Sequence, residues 1–311
     1  MTRKYTHVAV LLGGLSAERE VSLNSGKACA DALESEGYQV TRVDVGRDIA
    51  ARLAELKPEA CFNALHGKLG EDGHIQGILE YLQIPYSHSG VLASALAMHK
   101  QLAKQIMAAA GVPVPLGKVV LRSDAAKAHA LPPPYVLKPI AEGSSVGIFI
   151  IKADQAHPPQ ELTSSEWAFG EELLAEKFIP GRELTCAVID GEPTGVIDIL
   201  PAAGLQFYDY QAKYAHGGSR HILPAQLSPI IYQSVQRFTL LAHRALGCRG
   251  VSRADFRLDE RADGTFELAC LEVNTQPGMT GTSLVPELAG HKGWSFGQLV
   301  RWMVEDASCN R

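Results

Sequence analysis

The sequence predicts a mixed α/β fold, α+β overall: a parallel-sheet α/β unit first, antiparallel sheets after it. Three observations carry this. The first third alternates short apolar runs with segments of helical spacing. Later, turn signals separate neighbouring apolar runs, at Asp190-Gly191 and at Ala262-Asp263-Gly264. The chain of 311 residues also exceeds one small domain, at roughly 100–200 residues each, so two or three units are expected.

In chain order, His7 to Leu12 reads as a buried strand ending at Gly13-Gly14, with a helix between Ser16 and Ser35 and Gly37 as its stop. Val40 to Val45 and Ala60 to Leu65 are further strands. The loop HGKLGEDGHIQG follows, and then Ile75, Ile78, Leu79 and Leu82 recur at helical spacing. In such sheets ligands sit beyond the carboxyl ends of the strands, where Gly13-Gly14 and His66-Gly67 lie. A helical stretch, Val91 to Ala110, leads into the Pro-rich joint GVPVP. PPPYVLKPIAEGSSVGIFIIK then reads as strand, Gly/Ser loop, strand, and a hairpin turns at Asp190-Gly191. Ala202 to Ala225 has no clear period, and irregular segments of this length are usually lids or disordered. Ser228-Pro229 starts a helix that Gly247 stops. Two strands and a helix around Phe296 to Glu305 complete the chain.

Bulk properties exclude several function classes. A net charge of -5 with no basic run argues against a nucleic-acid partner. The six cysteines are scattered with no CxxC pair, which favours free thiols over disulfides or zinc. No stretch approaches the roughly 18 apolar residues of a membrane helix. A cytoplasmic protein without a membrane partner is expected.

Chemistry gathers in LEVNTQPGMT, Leu271 to Thr280. Side chains alternate along a strand, so Glu272 and Asn274 share a face. Arg253 and Asp255 share a face of the preceding strand, and a short turn makes the two strands antiparallel neighbours. Asp255, Glu272 and Asn274 then form an all-oxygen cluster of the kind Mg²⁺ prefers; the other reading is a solvated surface ribbon bridged to Arg253. The loop AEGSSVG, Ala141 to Gly147, is either a backbone anion cradle or an ordinary hairpin turn. Lys138, at the end of the strand YVLK just before it, is a good point charge for nucleotide phosphates. Lys100 alone reads equally as a solvated helical lysine. Glu18 is either a first-turn glutamate facing the helix dipole or the partner of a substrate ammonium. His66 is either a ligand or base, or simply hydrogen-bonded.

Taken together, LLGGLSAEREVSLNSG, HGKLGEDGHIQG, KPIAEGSSVG, FYDYQAKY, SRADF and LEVNTQPGMTGTSLVP closely resemble the D-alanine–D-alanine ligases of the ATP-grasp superfamily. The resemblance runs from Val8 to about Val300. It implies an N-terminal parallel-sheet α/β domain followed by a two-part ATP-grasp fold, with ATP between two antiparallel sheets. The boundaries expected are 1–96, which holds the first D-alanine site, 97–181, and 182–311 with a lid at 202–225. The implied reaction is ATP-dependent ligation of two D-alanines through an acylphosphate, feeding peptidoglycan synthesis and so cell-wall biogenesis and cell shape. Implied too are a pair of Mg²⁺ ions, with Mn²⁺ able to replace them, and a homodimer.

The resemblance also implies roles. Asp255, Glu272 and Asn274 match the metal ligands. Lys100, Lys138 and Lys213 match lysines on the α-, β- and transferred phosphates, and Ser145 belongs to the same ATP set. Glu176, Lys177 and Ile179 match the adenine segment, and Glu183 the ribose contact. Arg253 and the Gly278 N–H match stabilisers of the tetrahedral oxyanion. Glu18, with His66 nearby, matches the ammonium anchor, and Ser283 and Leu284 the clamp on the second carboxylate. Ser144 and Tyr214 match partners of Glu18 in a hydrogen-bonded triad that closes the lid, and Tyr214 favours a dipeptide over a D-alanine–D-lactate product. Two positions depart from the family: His99 replaces the usual Asp before Lys100, and Gln276 fills a variable position that touches no assigned role directly. Two other readings compete. One is an ATP-grasp ligase of another carboxylate–amine pair; the other is a non-catalytic nucleotide-binding module.

Overall fold

A computed structural model describes residues 3–143, 147–201 and 218–311. Ser144, Ser145, Lys213 and Tyr214 fall outside the described residues. So does most of the expected lid.

Strands β1 (His7–Leu12), β2 (Gln39–Asp44) and β3 (Ala60–Asn63) form a parallel sheet in the order β2-β1-β3. The central strand β1 is almost wholly buried, which is why its run VAVLL lacks polar alternation. Helix α1 (Arg19–Ser35) buries Cys29, Ala30 and Leu33 against this sheet and ends before Gly37 at φ +83°. Helices α2 (Ile49–Leu56) and α3 (His74–Tyr81) cover the other face through Ile49, Leu53, Ile75 and Leu79.

The expected single stretch from Val91 is two helices, α4 (Val91–Met98) and α5 (Lys100–Ala109), broken at His99. After β4 (Gly117–Leu121) and the short α6 (Arg122–Ala125) come β5 (Tyr135–Pro139), β6 (Phe149–Ile151) and β7 (Glu172–Lys177). These make a four-stranded antiparallel sheet, β4-β7-β5-β6, over a small core of Tyr135, Leu137, Ile151, Leu162 and Leu173.

The hairpin at Asp190-Gly191 joins β8 (Arg182–Ile189) to β9 (Glu192–Pro201). Part of the segment read as irregular, Ser219–Ile222, is strand β10, paired antiparallel to β9. Helix α7 (Pro229–Ala245) has Pro at its first turn. Strands β11 (Ser252–Glu260) and β12 (Phe266–Asn274) complete the five-stranded sheet β10-β9-β8-β11-β12. Helices α8 (Leu284–His291) and α9 (Phe296–Glu305) follow.

Packing links the units unequally. Helix α5 buries Ala103 and Met107 in the same core as α7 and the five-stranded sheet, away from the small sheet's core. Helices α8 and α9 bury Leu284, Leu288, Leu299 and Met303 with β1 and α1. The Tyr5 hydroxyl and Lys4 ammonium both donate to the Ala307 carbonyl, at 2.7 and 2.8 Å. All six cysteines are free, and five are buried. Among the described residues no helix is long and apolar enough to cross a membrane.

Candidate active site

The antiparallel ladder of β11 and β12 pairs Arg253 with Asn274 and Asp255 with Glu272. All four side chains therefore lie on one face, as alternation predicts. The register then slips: Phe256 pairs with Cys270, leaving Leu271 as a bulge residue. Phe256 turns into the core by alternation, and the bulge brings Cys270 onto that face beside it, while the polar four stay together.

Arg253 donates to both Asp255 oxygens, at 2.9 and 2.8 Å, and the Thr185 hydroxyl donates to Asp255 Oδ1 at 2.6 Å. All three residues are buried. The guanidinium is therefore oriented in advance by a two-pronged contact. Lys100 begins α5, donates to the Glu142 carbonyl and lies 4.0 Å from Glu272. His99 caps the same helix: its Nδ1 accepts from the Leu102 N–H at 3.3 Å. It thus does the capping work of the Asp it replaces.

Glu18 stands at the start of α1 without capping it, and is buried. Its carboxylate lies against two glycines. A Cβ at Gly67, whose φ is +69°, would come 2.6 Å from Glu18 Oε2, and one at Gly143 would come 2.9 Å from it. A side chain at either position would push the carboxylate aside, and the positive φ at Gly67 itself favours glycine. Glu71 joins it, accepting from the Gly67 N–H at 3.0 Å. Burial, and then the charge of Glu18, push the Glu71 carboxyl up to about 8. His66 Nε2 meets Ser25 Oγ at 3.2 Å, and burial pushes its imidazole down to about 4. It is neutral at neutral pH, a hydrogen-bonding group without charge.

Gln276 is buried and ties the two ends of the chain together. Its amide accepts from Asn63 Nδ2 at 2.7 Å and donates to the Leu65 carbonyl. Its backbone N–H also donates to Asn274 Oδ1 at 2.8 Å. This corrects the expectation that Gln276 touches no assigned residue. Ser283 caps the region before α8, where Oγ accepts from the Thr280 N–H at 2.9 Å, and a Cβ on Gly278 would lie 3.0 Å from that oxygen. One cavity of about 110 Å³ is lined by Glu18, His66, Glu71, Lys100, Arg253, Glu272, Asn274, Gly278, Ser283 and Leu284.

A second polar cluster lies between α5 and the small sheet. Glu176 Oε2 is 2.6 Å from Lys138 Nζ, and Oε1 is 2.7 Å from Lys104 Nζ. The Glu176 carboxylate is thereby committed to the two lysines. Lys177 is half exposed and pairs with Glu267 at 2.7 Å. The buried Ile179 offers its carbonyl to Arg257 Nε at 3.1 Å, and Arg257 also reaches Gly181 O at 2.8 Å and Glu183 at 3.4 Å. Arg257 thus braces the strap between β7 and β8. Thr185, Glu71, Lys104 and Arg257 escape sequence reading, because only tertiary approach gives them partners.

Asp255, Glu272 and Asn274 offer oxygens alone. Among the described residues no three His, Cys, Asp or Glu side chains converge to hold a metal. Glu272 and Asn274 line the cavity, while Asp255 is not part of its lining and accepts from Arg253 and Thr185; this all-oxygen set suits Mg²⁺, whose shell substrate oxygens and water would complete.

Two antiparallel sheets flanking buried lysines, behind a small parallel α/β unit, define the ATP-grasp class of α/β protein. The family model described as "D-ala D-ala ligase C-terminus" matches residues 106–305. D-alanine–D-alanine ligases from Methylobacterium radiotolerans and Agrobacterium fabrum are 68% and 65% identical over 305 residues, each covering 98% of this chain and 99% of the relative. The crystal structure of the Bacillus anthracis ligase aligns with a TM-score of 0.79 at 32% identity, covering 97% of both chains. Its ATP complex aligns at 0.77 and 30%, again over 97% of both. The chain belongs to the D-alanine–D-alanine ligase family.

Proposed function

We propose that the protein joins two D-alanines to D-alanyl-D-alanine with ATP, releasing ADP and phosphate. The observation that carries this is the single cavity gathering Glu18, Lys100, Arg253, Glu272, Gly278 and Ser283 from distant parts of the chain. In this reading residues 1–96 receive the first D-alanine, and ATP lies between units 97–181 and 182–311.

Glu18, with Glu71 beside it, receives the ammonium of the first D-alanine. A carboxylate oxygen of that D-alanine attacks the γ-phosphorus, and ADP leaves with the bonding electrons. Lys100 and Lys138 hold the phosphates, with Lys213 and Ser145 completing the contacts. Asp255, Glu272 and Asn274 would hold Mg²⁺, which when bound offsets phosphate charge during the transfer. The deprotonated amine of the second D-alanine, its carboxylate held by Ser283 beside Leu284, attacks the acyl carbon. Arg253 and the Gly278 N–H stabilise the oxyanion until phosphate departs. Glu176, Lys177, Ile179 and Glu183 line the nucleotide's adenosine end. Ser144 and Tyr214 close the lid with Glu18, excluding water from the acylphosphate. Buried free thiols fit a reducing cytoplasm, and the family resemblance supports a homodimer.

ADP release with D-alanine, compared with D-lactate, L-alanine and glycine at several pH values, tests this when the product is identified. D-alanyl-D-alanine as the main product is expected. Faster turnover with another acceptor would replace the substrate assignment. ATP binding without D-alanine-dependent ADP release would mark a non-catalytic module.

A further inference from the structure

The cluster between α5 and the small sheet contains more positive charge than its structure requires. Lys104 lies one turn after Lys100 on α5, and the side chains of Lys104, Glu176 and Lys138 are 6%, 3% and 6% exposed. One carboxylate faces two ammonium groups. Burial raises the Glu176 carboxyl, yet the two lysines outweigh it and hold the group below its usual value. Burial, then the Lys138 charge, pushes Lys104 down to about 8. The Lys104 Nζ sits 2.7 Å from Glu176 without a well-aligned hydrogen bond. Opposite, a Cβ at Gly117 would lie 3.0 Å from Glu176 Cγ, so the turn into β4 leaves room for this carboxylate.

A neutral Glu176–Lys138 pair would suffice to hold β5 against β7. The second lysine adds a buried charge that is unfavourable in the empty protein. An arriving polyphosphate reverses that balance.

We propose that Lys104 is a positioning residue for the nucleotide, pinning Glu176 so that Lys138 faces the phosphates and adding a positive charge that the phosphates neutralise. This rests on the nucleotide site proposed above. Lys104 holds one oxygen of Glu176 and Lys138 the other, which fixes the carboxylate plane and with it the Lys138 ammonium.

The test is Lys104→Met, of similar length and without charge. Affinity for ADP and ATP with Mg²⁺ is measured by titration calorimetry, alongside Tm without nucleotide and KM for each substrate. Nucleotide affinity and KM for ATP are expected to weaken about ten-fold, the size of one member of a coupled charged network. KM for D-alanine should stay within about two-fold, and Tm should hold or rise. Lys104→Arg, which keeps the charge, should recover most of the nucleotide affinity. Unchanged nucleotide affinity in Lys104→Met overturns the proposal, as does a fall in Tm with affinity intact. If Lys104→Met fails to fold, Lys104→Gln is read in the same way; failure of both makes the residue structural and ends the proposal. A wild-type protein that binds no nucleotide would instead remove the nucleotide site itself.

Discussion

Arg253 and Asp255 hold each other two residues apart on one strand, so each proposed role depends on the other. Arg253→Ala removes an oriented donor and leaves a buried carboxylate uncompensated. Turnover should fall by roughly 100-fold, since one oxyanion donor supplies about 3 kcal/mol of transition-state stabilisation. KM for ATP should move far less. D-alanine-dependent ADP release measures both, and near-normal turnover would remove the assignment. Buried histidines give the pH response. His66, His88 and His243 are pushed down to about 4, 3 and 4, chiefly by burial. All three are neutral when folded and protonate on unfolding below about pH 6.5. Their contribution is complete above that pH and is lost as pH falls through the lowered values. Glu71 slopes the opposite way, losing its contribution as pH rises towards about 8. His88 takes a φ of +69° and, among the described residues, finds no hydrogen-bond partner for either ring nitrogen. His88→Asn, which suits that backbone, should flatten the fall of Tm between pH 6.5 and 4.5 relative to wild type; parallel curves would refute this. At this scale the sequence displayed Glu272 and Asn274 on one face, because alternation needs no third dimension, while Glu18 stood out only through the family resemblance. It hid Glu71 and Lys104, whose partners arrive from other elements.

Helix α5 places Lys100 at its first residue, so the cap in front of it bears on the site. His99 accepts from the Leu102 N–H. Accepting requires an unprotonated Nδ1 but is otherwise what an Asp would do there. His99→Ala should cost about 1 kcal/mol in urea unfolding and raise KM for ATP severalfold, while His99→Asp restores both. An unchanged KM for ATP in His99→Ala would separate the cap from Lys100. Strand and hairpin limits were legible at this scale wherever turn chemistry was local, as at Asp190-Gly191 and in the ADG turn. The Leu271 bulge was not, since pairing register belongs to two strands at once. Strand β10 was missed for a related reason: SRHI is too polar to announce itself, and becomes a strand because β9 is beside it.

Across the whole molecule, the N-terminal sheet shares one core with the last helices, α5 shares another with the five-stranded sheet, and the small sheet keeps its own. The N-terminal sheet is packed with α8 and α9. Gln276 adds polar links between Asn63, Leu65 and the loop after β12. Gln276→Ala leaves those buried groups unpaired and should cost about 1–3 kcal/mol. KM for D-alanine should rise more than KM for ATP. Denaturant titration and substrate kinetics check this, and a variant as stable as wild type would show the link to be dispensable. The family resemblance made the order of units legible from the sequence. That α5 packs with the larger sheet was not legible, because Ala103 and Met107 suit either neighbour.

The side chains of Lys4 and Tyr5 reach the backbone near residue 307, with the Tyr5 hydroxyl and the Lys4 ammonium on one carbonyl. A short peptide bridge between these points would therefore close the polypeptide into a ring with little distortion. New termini cut into the exposed loop around Asp154 would give a circular permutant that keeps every strand pairing, with a label placed beside the small sheet to report its tilt.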